Sequence, residues 1–520
     1  MSSTTCSELV TLDSQESSES QVPAQTGSSY GQILKSSAVI GGSQALNVAI
    51  GIVRTKAMAI FLGPSGFGLV GLYNSIIDLG QSVAGLGVNS SGVRQIAEAV
   101  ASDDVERIGL TVVVLRRTSV GLGIVGSLLL VLFARQVSSI TFGSYDHTTS
   151  IRILSLAVFC KLVSGGQAAL IQGMRRISDL AKMNILGAIS GAVSGVMLVY
   201  VYRDKGIVPY LIAITAMAIA TSWWYSRKIK VPIPKLRLSE VGHETAALLR
   251  LGVAFMVSAL ITLGVAYVTR ILVLHRVGLA ATGYYQSAWT LGALYVSFIL
   301  QAMGADFYPR LTGSINDPLV ANRLVNEQAR VGLLLAGPGV IATITFAPAV
   351  IVLLYSAKFS GSVPVLRWIC LGSALQVITW PLGFVIVAKG LQNLFLASEI
   401  AWAVASLGLA WSCIAYFGVV GAGIAFFLSY IFHGVVTYAI ARRLTGFKWS
   451  KETKRTAYIF ASLIAVSFAI CYALPIWLTA VIGLTITIVS AVYSYRTLIH
   501  AIGTDSALSR ILTMFRRASA

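Results

Sequence analysis

The sequence predicts an all-α polytopic membrane protein with about fourteen transmembrane helices, and three observations support this prediction. The 520 residues are 56% hydrophobic and only 11% charged, which is far less charge than a soluble protein of this length carries on its surface. The apolar residues fall into stretches of about the 20 residues that a helix needs to cross a bilayer. The net charge of +19 comes mostly from Lys and Arg between these stretches. Membrane topology therefore explains it, and no nucleic-acid partner is predicted.

The transmembrane helices follow one another with short connections. Gly63-Pro64-Ser65-Gly66 marks the turn of the first hairpin and Leu474-Pro475 that of the last, because Gly and Pro interrupt helices. We expect the helices near residues 35–61, 66–88, 109–134, 150–173, 181–202, 206–225, 248–273, 280–303, 331–355, 364–388, 394–416, 420–441, 456–474 and 476–495.

Composition outside the spans divides the chain further. Residues 1–34 carry four acidic residues and no Lys or Arg, a composition that is typical of disorder and unlike a signal peptide. The longest basic connection follows six spans, as expected between two six-helix lobes around a central cavity. The predicted segments are a disordered cytoplasmic tail at 1–34, an N-lobe at 35–225, a cytoplasmic linker at 226–247, a C-lobe at 248–441, two extra helices at 456–495 and a cytoplasmic tail at 496–520.

The distribution of Lys and Arg predicts the orientation. With the N-terminus in the cytoplasm, about 26 basic residues lie on the inner side and about 8–10 on the outer side, which is the bias that sets topology. An even number of spans returns the C-terminus to the same side. Both termini are therefore predicted to be cytoplasmic.

Four cations lie inside otherwise apolar stretches: Arg54, Lys56, Lys161 and Arg270. An isolated charge at membrane depth costs roughly 2.5–3.5 kcal/mol on insertion scales, so it usually faces a water-filled interior. Arg54 and Arg270 occupy matching places in the two lobes, and Lys161 lies well inside its span. We predict that these three bind an anionic substrate in the central cavity. The alternative for Arg54 and Arg270 is snorkelling to the outer interface, and Lys56 is expected to be an interface anchor.

Asp78 is the only acid deep within the first lobe, and two interpretations of it remain open. It pairs with Arg54 or Lys161, or it is the protonatable group of an ion-coupled cycle driven by protons or sodium. Glu399 lies near the inner end of its helix and is expected to be interfacial. Five cysteines and five histidines are dispersed without ligand spacing, so no metal and no cofactor is predicted.

The first hairpin carries the residues of a family resemblance. The chain reads Arg54-Thr55-Lys56, then FLGPSGFGL at 61–69, then GLGVNSSGVRQIAE at 85–98. These motifs resemble the opening of Wzx-type O-antigen and polysaccharide flippases, in the multidrug/oligosaccharidyl-lipid/polysaccharide exporter superfamily. The resemblance is close over residues 32–105 and looser over 250–310.

The resemblance implies a transporter rather than an enzyme, in the inner membrane of a bacterium. Such flippases move an undecaprenyl-pyrophosphate-linked oligosaccharide, an O-antigen or exopolysaccharide repeat unit, between leaflets by alternating access. A polysaccharide polymerase and a chain-length regulator of lipopolysaccharide biosynthesis are the implied partners. A lipid II flippase, a multidrug exporter and a membrane-embedded polymerase remain as alternatives. The scarcity of buried acids disfavours an exporter of cations, and the short outer loops disfavour a polymerase.

Overall fold

The computed structural model describes residues 26–102, 104–232 and 238–502, and these ranges contain helices and no β-strand. The α-helices are α1 (Thr26–Gly85), α2 (Val88–Ala101), α3 (Val105–Leu132), α4 (Ala134–Phe142), α5 (Thr148–Gly173), α6 (Ile177–Tyr202), α7 (Ile207–Ser226), α8 (Leu238–Val277), α9 (Leu279–Ser314), α10 (Pro318–Thr345), α11 (Ala347–Leu354), α12 (Ser362–Ala388), α13 (Gln392–Phe417), α14 (Val419–Thr445), α15 (Lys451–Ala473) and α16 (Ile476–Ile502).

The prediction of a polytopic all-α protein is confirmed. Within the described residues, eleven helical segments are long and apolar enough to cross a membrane. Two of them, Gly41–Gly85 with 45 residues and Ile177–Ser226 with 50, each hold two of the predicted spans. Helix α9 (Leu279–Ser314) matches the predicted eighth span. The fourteen predicted spans thus all correspond to helices.

The first two predicted spans are the two halves of α1, and the chain changes direction between them at Gly63. This residue has φ 64° and ψ −171°, a conformation that glycine adopts readily because it has no Cβ. Pro64 follows directly. It lacks a backbone N–H, so it starts a helical segment more easily than it continues one. The predicted turn at 63–66 is therefore reduced to one non-helical residue.

The helices pack in two groups that share α1. In the first group, α3 packs on α5, α5 on α7, and α6 on α7. In the second group, α12 packs on α14, α9 and α10, and α13 packs on α14. The two halves of α1 contact α5 and α6 on one side and α8 and α9 on the other, while α15 and α16 both pack on α10. Two groups of packed helices are what a protein with two lobes requires, and the exact boundaries of the predicted lobes stay a prediction.

Helices extend further than predicted at three places. Once a helix is nucleated, each added residue gains a hydrogen bond without a new nucleus, so helices run beyond their apolar stretches. Helix α1 begins at Thr26 inside the predicted tail 1–34, α8 begins at Leu238 inside the predicted linker 226–247, and α16 ends at Ile502 inside the predicted tail 496–520. The division into segments stays a prediction. The rest of the N-terminal tail, residues 233–237 of the linker, and residues 503–520 lie outside the described residues.

Candidate functional site

A cavity of about 280 Å³ lies between α1, the start of α2, and α8. It is polar on the α1 side, where Asp78, Gln81 and Ser82 line it, and apolar on the α8 side. Because α1 and α8 belong to the two predicted lobes, this cavity occupies the position where a central cavity was expected. We refer to it as the interlobe cavity.

Asp78 forms an ion pair with Lys161, which reaches it from α5. Both side chains are more than one-third exposed, at 39% for Asp78 and 37% for Lys161. Of the two partners considered for Asp78, the structure therefore selects Lys161 and not Arg54. Asp78 lines the interlobe cavity and Lys161 is paired with it, and the part of both residues in substrate binding or ion coupling stays a prediction.

Arg270 of α8 is buried, with 8% of the residue exposed. Its Nε donates a hydrogen bond to Gln286 Oε1 at 2.8 Å, and its Nη1 donates to the carbonyl of Ala266 at 2.8 Å. Its guanidinium carbon lies 6.0 Å from the ring centroid of Tyr285. Within the described part of the chain, no carboxylate lies within 4.0 Å of it. A buried cation without an ion-pair partner favours binding of an anion.

Arg54 lies apart from the other predicted site residues. Its Nε is buried and has no hydrogen-bond partner, and its guanidinium acts electrostatically on Tyr210 of α7. No ion pair or hydrogen bond joins it to Asp78 or Lys161 among residues 26–102, 104–232 and 238–502. Lys56 points elsewhere, since its Nζ donates to the carbonyl of Leu353 in α11 at 2.6 Å. The structure thus groups Lys161 with Asp78 and leaves Arg54 as a separate cation.

The two sides of the interlobe cavity touch at both ends of the second half of α1. At one end, the backbone of Gly283 in α9 lies against the carbonyl of Pro64, and at the other, Gly252 in α8 lies against the carbonyl of Leu86. A Cβ at either glycine would overlap a backbone carbonyl group. Asp78 lies between these two contacts along α1.

Glu399 of α13 faces the helix bundle. Its side chain is 17% exposed, and its Oε1 lies 3.8 Å from His433 Nε2 of α14. Trp402 lies one turn further along α13 and is buried, so it shares a helix face with Glu399. This one-turn spacing is the signal in the sequence that Glu399 faces the bundle. The expected position of Glu399 at the membrane interface stays a prediction.

A second cavity, of about 270 Å³, was not predicted from the sequence. It lies among α8, α9, α12, α13 and α14, and aromatic side chains and hydroxyl groups line it together. Tyr285, the neighbour of Arg270, belongs to its wall. Its polar lining comes from residues spread over five helices, and no motif in the sequence brings them together.

Comparison with known proteins gives a family and a fold. The sequence profile of a family described as "Polysaccharide biosynthesis protein" matches residues 57–364. The chain is 23% identical over 413 residues to the lipid III flippase of Escherichia coli (strain K12), covering 77% of this chain and 95% of that protein. It is 20% identical over 377 residues to the probable low-salt glycan biosynthesis flippase Agl15 of Haloferax volcanii, covering 72% and 76%.

Among solved structures, the lipid II flippase MurJ in an inward closed conformation aligns with a TM-score of 0.66. The alignment covers 89% of this chain and 99% of that structure at 14% sequence identity. At this identity the likeness concerns the fold alone. It agrees with an all-helical transporter architecture.

Proposed function

Because the chain belongs to the polysaccharide biosynthesis protein family, we propose that it is a flippase for a lipid-linked oligosaccharide. Its relatives named as flippases support this function, and eleven candidate membrane segments place it in a bilayer as a multi-pass protein. The proposed substrate is an undecaprenyl-pyrophosphate that carries an O-antigen or exopolysaccharide repeat unit. The protein acts as a transporter and not as an enzyme.

The observation that carries this proposal is the buried, unpaired guanidinium of Arg270. A lipid-linked pyrophosphate cannot cross hydrocarbon by itself, because its charges and sugar hydroxyls would lose their water. Arginine binds phosphate through two parallel charged hydrogen bonds. Gln286 and Ala266 already hold Nε and Nη1 of Arg270, so the guanidinium is oriented before the substrate arrives.

Lys161 supplies the second cation through an exchange of partners. It is paired with Asp78, and an arriving phosphate competes with this carboxylate for the ammonium group. Asp78 then takes up a proton or a sodium ion, which keeps its charge from being left without a partner. Binding of the anionic substrate is thereby coupled to an ion gradient.

The proposed transport cycle requires that the two glycine contacts at the ends of the second half of α1 open in turn. Opening at Gly252 and Leu86 exposes one end, and opening at Gly283 and Pro64 exposes the other, which is alternating access. The distribution of basic residues supports cytoplasmic termini in the bacterial inner membrane. In this orientation the Gly252 contact faces the cytoplasm. A polysaccharide polymerase and a chain-length regulator are the proposed partners.

Translocation in liposomes tests this function. The purified protein is reconstituted, and the movement of a fluorescent polyprenyl-pyrophosphate oligosaccharide is followed in wild type and in Arg54→Ala, Lys161→Ala and Arg270→Ala. Arg152→Ala is the matched control, because Arg152 is an exposed arginine within a span. We expect loss of translocation in Lys161→Ala and Arg270→Ala and normal translocation in the control.

Two results would count against the proposal. If wild type moves no lipid-linked oligosaccharide with either a proton or a sodium gradient, the flippase function is wrong. If wild type is active and Arg270→Ala, still folded and inserted, is equally active, the cationic site is wrong. Lipid II serves as a second substrate, and faster movement of lipid II than of the oligosaccharide would favour the lipid II alternative.

A further inference from the structure

A second cationic pocket lies apart from the interlobe cavity, between α3, α5 and α7. Its volume is about 210 Å³. None of the residues proposed for substrate binding belongs to it. The side chains that matter are Arg116 and Ser119 of α3, Gln167 of α5, and Trp223 and Arg227 at the end of α7.

The two arginines give this pocket a positive charge that the described residues do not neutralise. Arg116 donates through Nη2 to the carbonyl of Ser226 at 3.0 Å, which leaves other guanidinium N–H groups for a ligand. The guanidinium carbon of Arg227 lies 3.9 Å from the ring centroid of Trp224 and 4.7 Å from that of Trp223. Over the described ranges, no carboxylate lies within 4.0 Å of either arginine.

Ser119 provides an independent indication of a ligand. Only 4% of this residue is exposed, and its hydroxyl has no hydrogen-bond partner. Buried polar groups are nearly always hydrogen-bonded, so an unpaired hydroxyl in the wall of a pocket indicates an acceptor that binds there. The Ser119 hydroxyl packs closely against Gly166, and a Cβ at Gly166 would overlap Ser119. An oxyanion between the two arginines would accept this hydrogen bond.

The surroundings of the pocket distinguish a lipid from a free anion. Trp223 and Trp224 are exposed beside it, as aromatic residues are at the level of lipid headgroups. From the pocket, α3 exposes a row of apolar side chains at four-residue spacing, which places them along one helix face. The row consists of Val120, Ile124, Leu128 and Leu132.

We propose that this pocket binds the phosphate headgroup of an anionic phospholipid, whose acyl chains lie along the apolar row of α3. Basic pockets between transmembrane helices bind anionic lipid headgroups at the cytoplasmic side of membranes. With the proposed cytoplasmic termini, the pocket opens to the cytoplasmic leaflet. The inference concerns a structural lipid and does not depend on which substrate the interlobe cavity carries.

Lipid binding is measured by native mass spectrometry of the purified full-length protein. Phosphatidylglycerol is added to wild type, Arg116→Gln, Arg227→Gln and Ser119→Ala, with Arg117→Gln as the control, because Arg117 is exposed and does not line the pocket. We expect about tenfold weaker binding in each arginine variant, since each loses a charged hydrogen-bond donor. Ser119→Ala is expected to bind roughly threefold more weakly, and the control as wild type does.

Two further ligands separate the sources of phosphate. Phosphatidylcholine should bind more weakly than phosphatidylglycerol, and inorganic phosphate should not displace phosphatidylglycerol. Equal binding of phosphatidylglycerol by all variants would overturn the site. Displacement by inorganic phosphate would overturn the lipid assignment. If Arg116→Gln fails to fold because α7 loses its contact, Arg227→Gln and Ser119→Ala still decide the result.

Discussion

Replacing Gly283 by alanine tests whether the contact between α1 and α9 opens and closes during transport. The backbone at Gly283 lies against the carbonyl of Pro64, and an added Cβ would overlap that group. Gly68 of α1 meets the same part of α9, where its own Cβ would lie 2.8 Å from the nitrogen of Gly283. Because the obstacle is backbone and not a flexible side chain, the two helices must move apart to accept the methyl group.

The expected size of the effect follows from this overlap. Adding a methyl group to a fully packed contact typically costs about 1–3 kcal/mol. The cost applies only to conformations in which the helices touch, so it shifts the equilibrium toward opening at this end by about 5- to 150-fold. Gly252→Ala places the same cost on the opposite contact, at the carbonyl of Leu86, and should favour opening at the other end.

Labelling of a single cysteine measures the two openings separately. A cysteine at Gln81, which lines the interlobe cavity, is introduced after removal of the native cysteines and reacted with an impermeant maleimide from either side of the membrane. Gly283→Ala should accelerate labelling from the side of the α1 turn, and Gly252→Ala from the other side. Gly264→Ala is the control, because a Cβ there meets nothing within 4 Å. Unchanged labelling in a folded Gly283→Ala protein would refute the reasoning.

Three further predictions concern coupling, packing and pH. Asp78→Asn should still bind the lipid-linked substrate but lose the effect of an ion gradient on translocation, and a gradient-dependent Asn variant would contradict the coupling role. Phe460→Ala removes a fully buried ring between α15 and α10 and should lower the free energy of unfolding by roughly 3–5 kcal/mol, measured by thermal unfolding against the exposed control Tyr458→Ala.

The third prediction in this set rests on His147, which precedes α5. Burial lowers its pKa below the usual 6.5. Its contribution to stability is therefore complete above pH 6.5 and is lost as the pH falls through the folded-state pKa. Unfolding midpoints measured between pH 5 and 8 should show this loss in wild type and a smaller loss in His147→Gln.

The spans could be predicted because the length of an apolar stretch is a local property of the sequence. Where helices end could not, since helices continue into polar residues once they are formed, as α8 does from Leu238. The two glycine contacts at the ends of the second half of α1 also escaped prediction. Gly283, whose backbone contacts another helix, has no local signature that distinguishes it from Gly264 on α8, where an added Cβ would meet nothing within 4 Å.

A cation within an apolar stretch is visible in the sequence, and this feature selected Arg54, Lys161 and Arg270 as candidates, whose role in binding stays a prediction. Pairing of Lys161 with Asp78 joins residues 83 positions apart, so it depends on how α5 packs on α1. The pocket that contains Arg116 and Arg227 could not be predicted from the sequence, since the unpaired Ser119 hydroxyl is a property of the folded chain.

The arrangement of charges suggests how the proposed ion coupling would order the cycle. Asp78 and Lys161 form a neutral pair, so these two residues with Arg270 carry a net charge of −1 + 1 + 1, which is +1. Protonation of Asp78 raises this sum to +2 and frees Lys161, which strengthens binding of a pyrophosphate. Deprotonation restores the pair between Asp78 and Lys161 and weakens the binding of pyrophosphate. Substrate and proton would therefore enter the interlobe cavity together and leave together. An asparagine at position 78 holds the sum at +2, which is why the Asp78→Asn variant should bind substrate and fail to respond to the gradient.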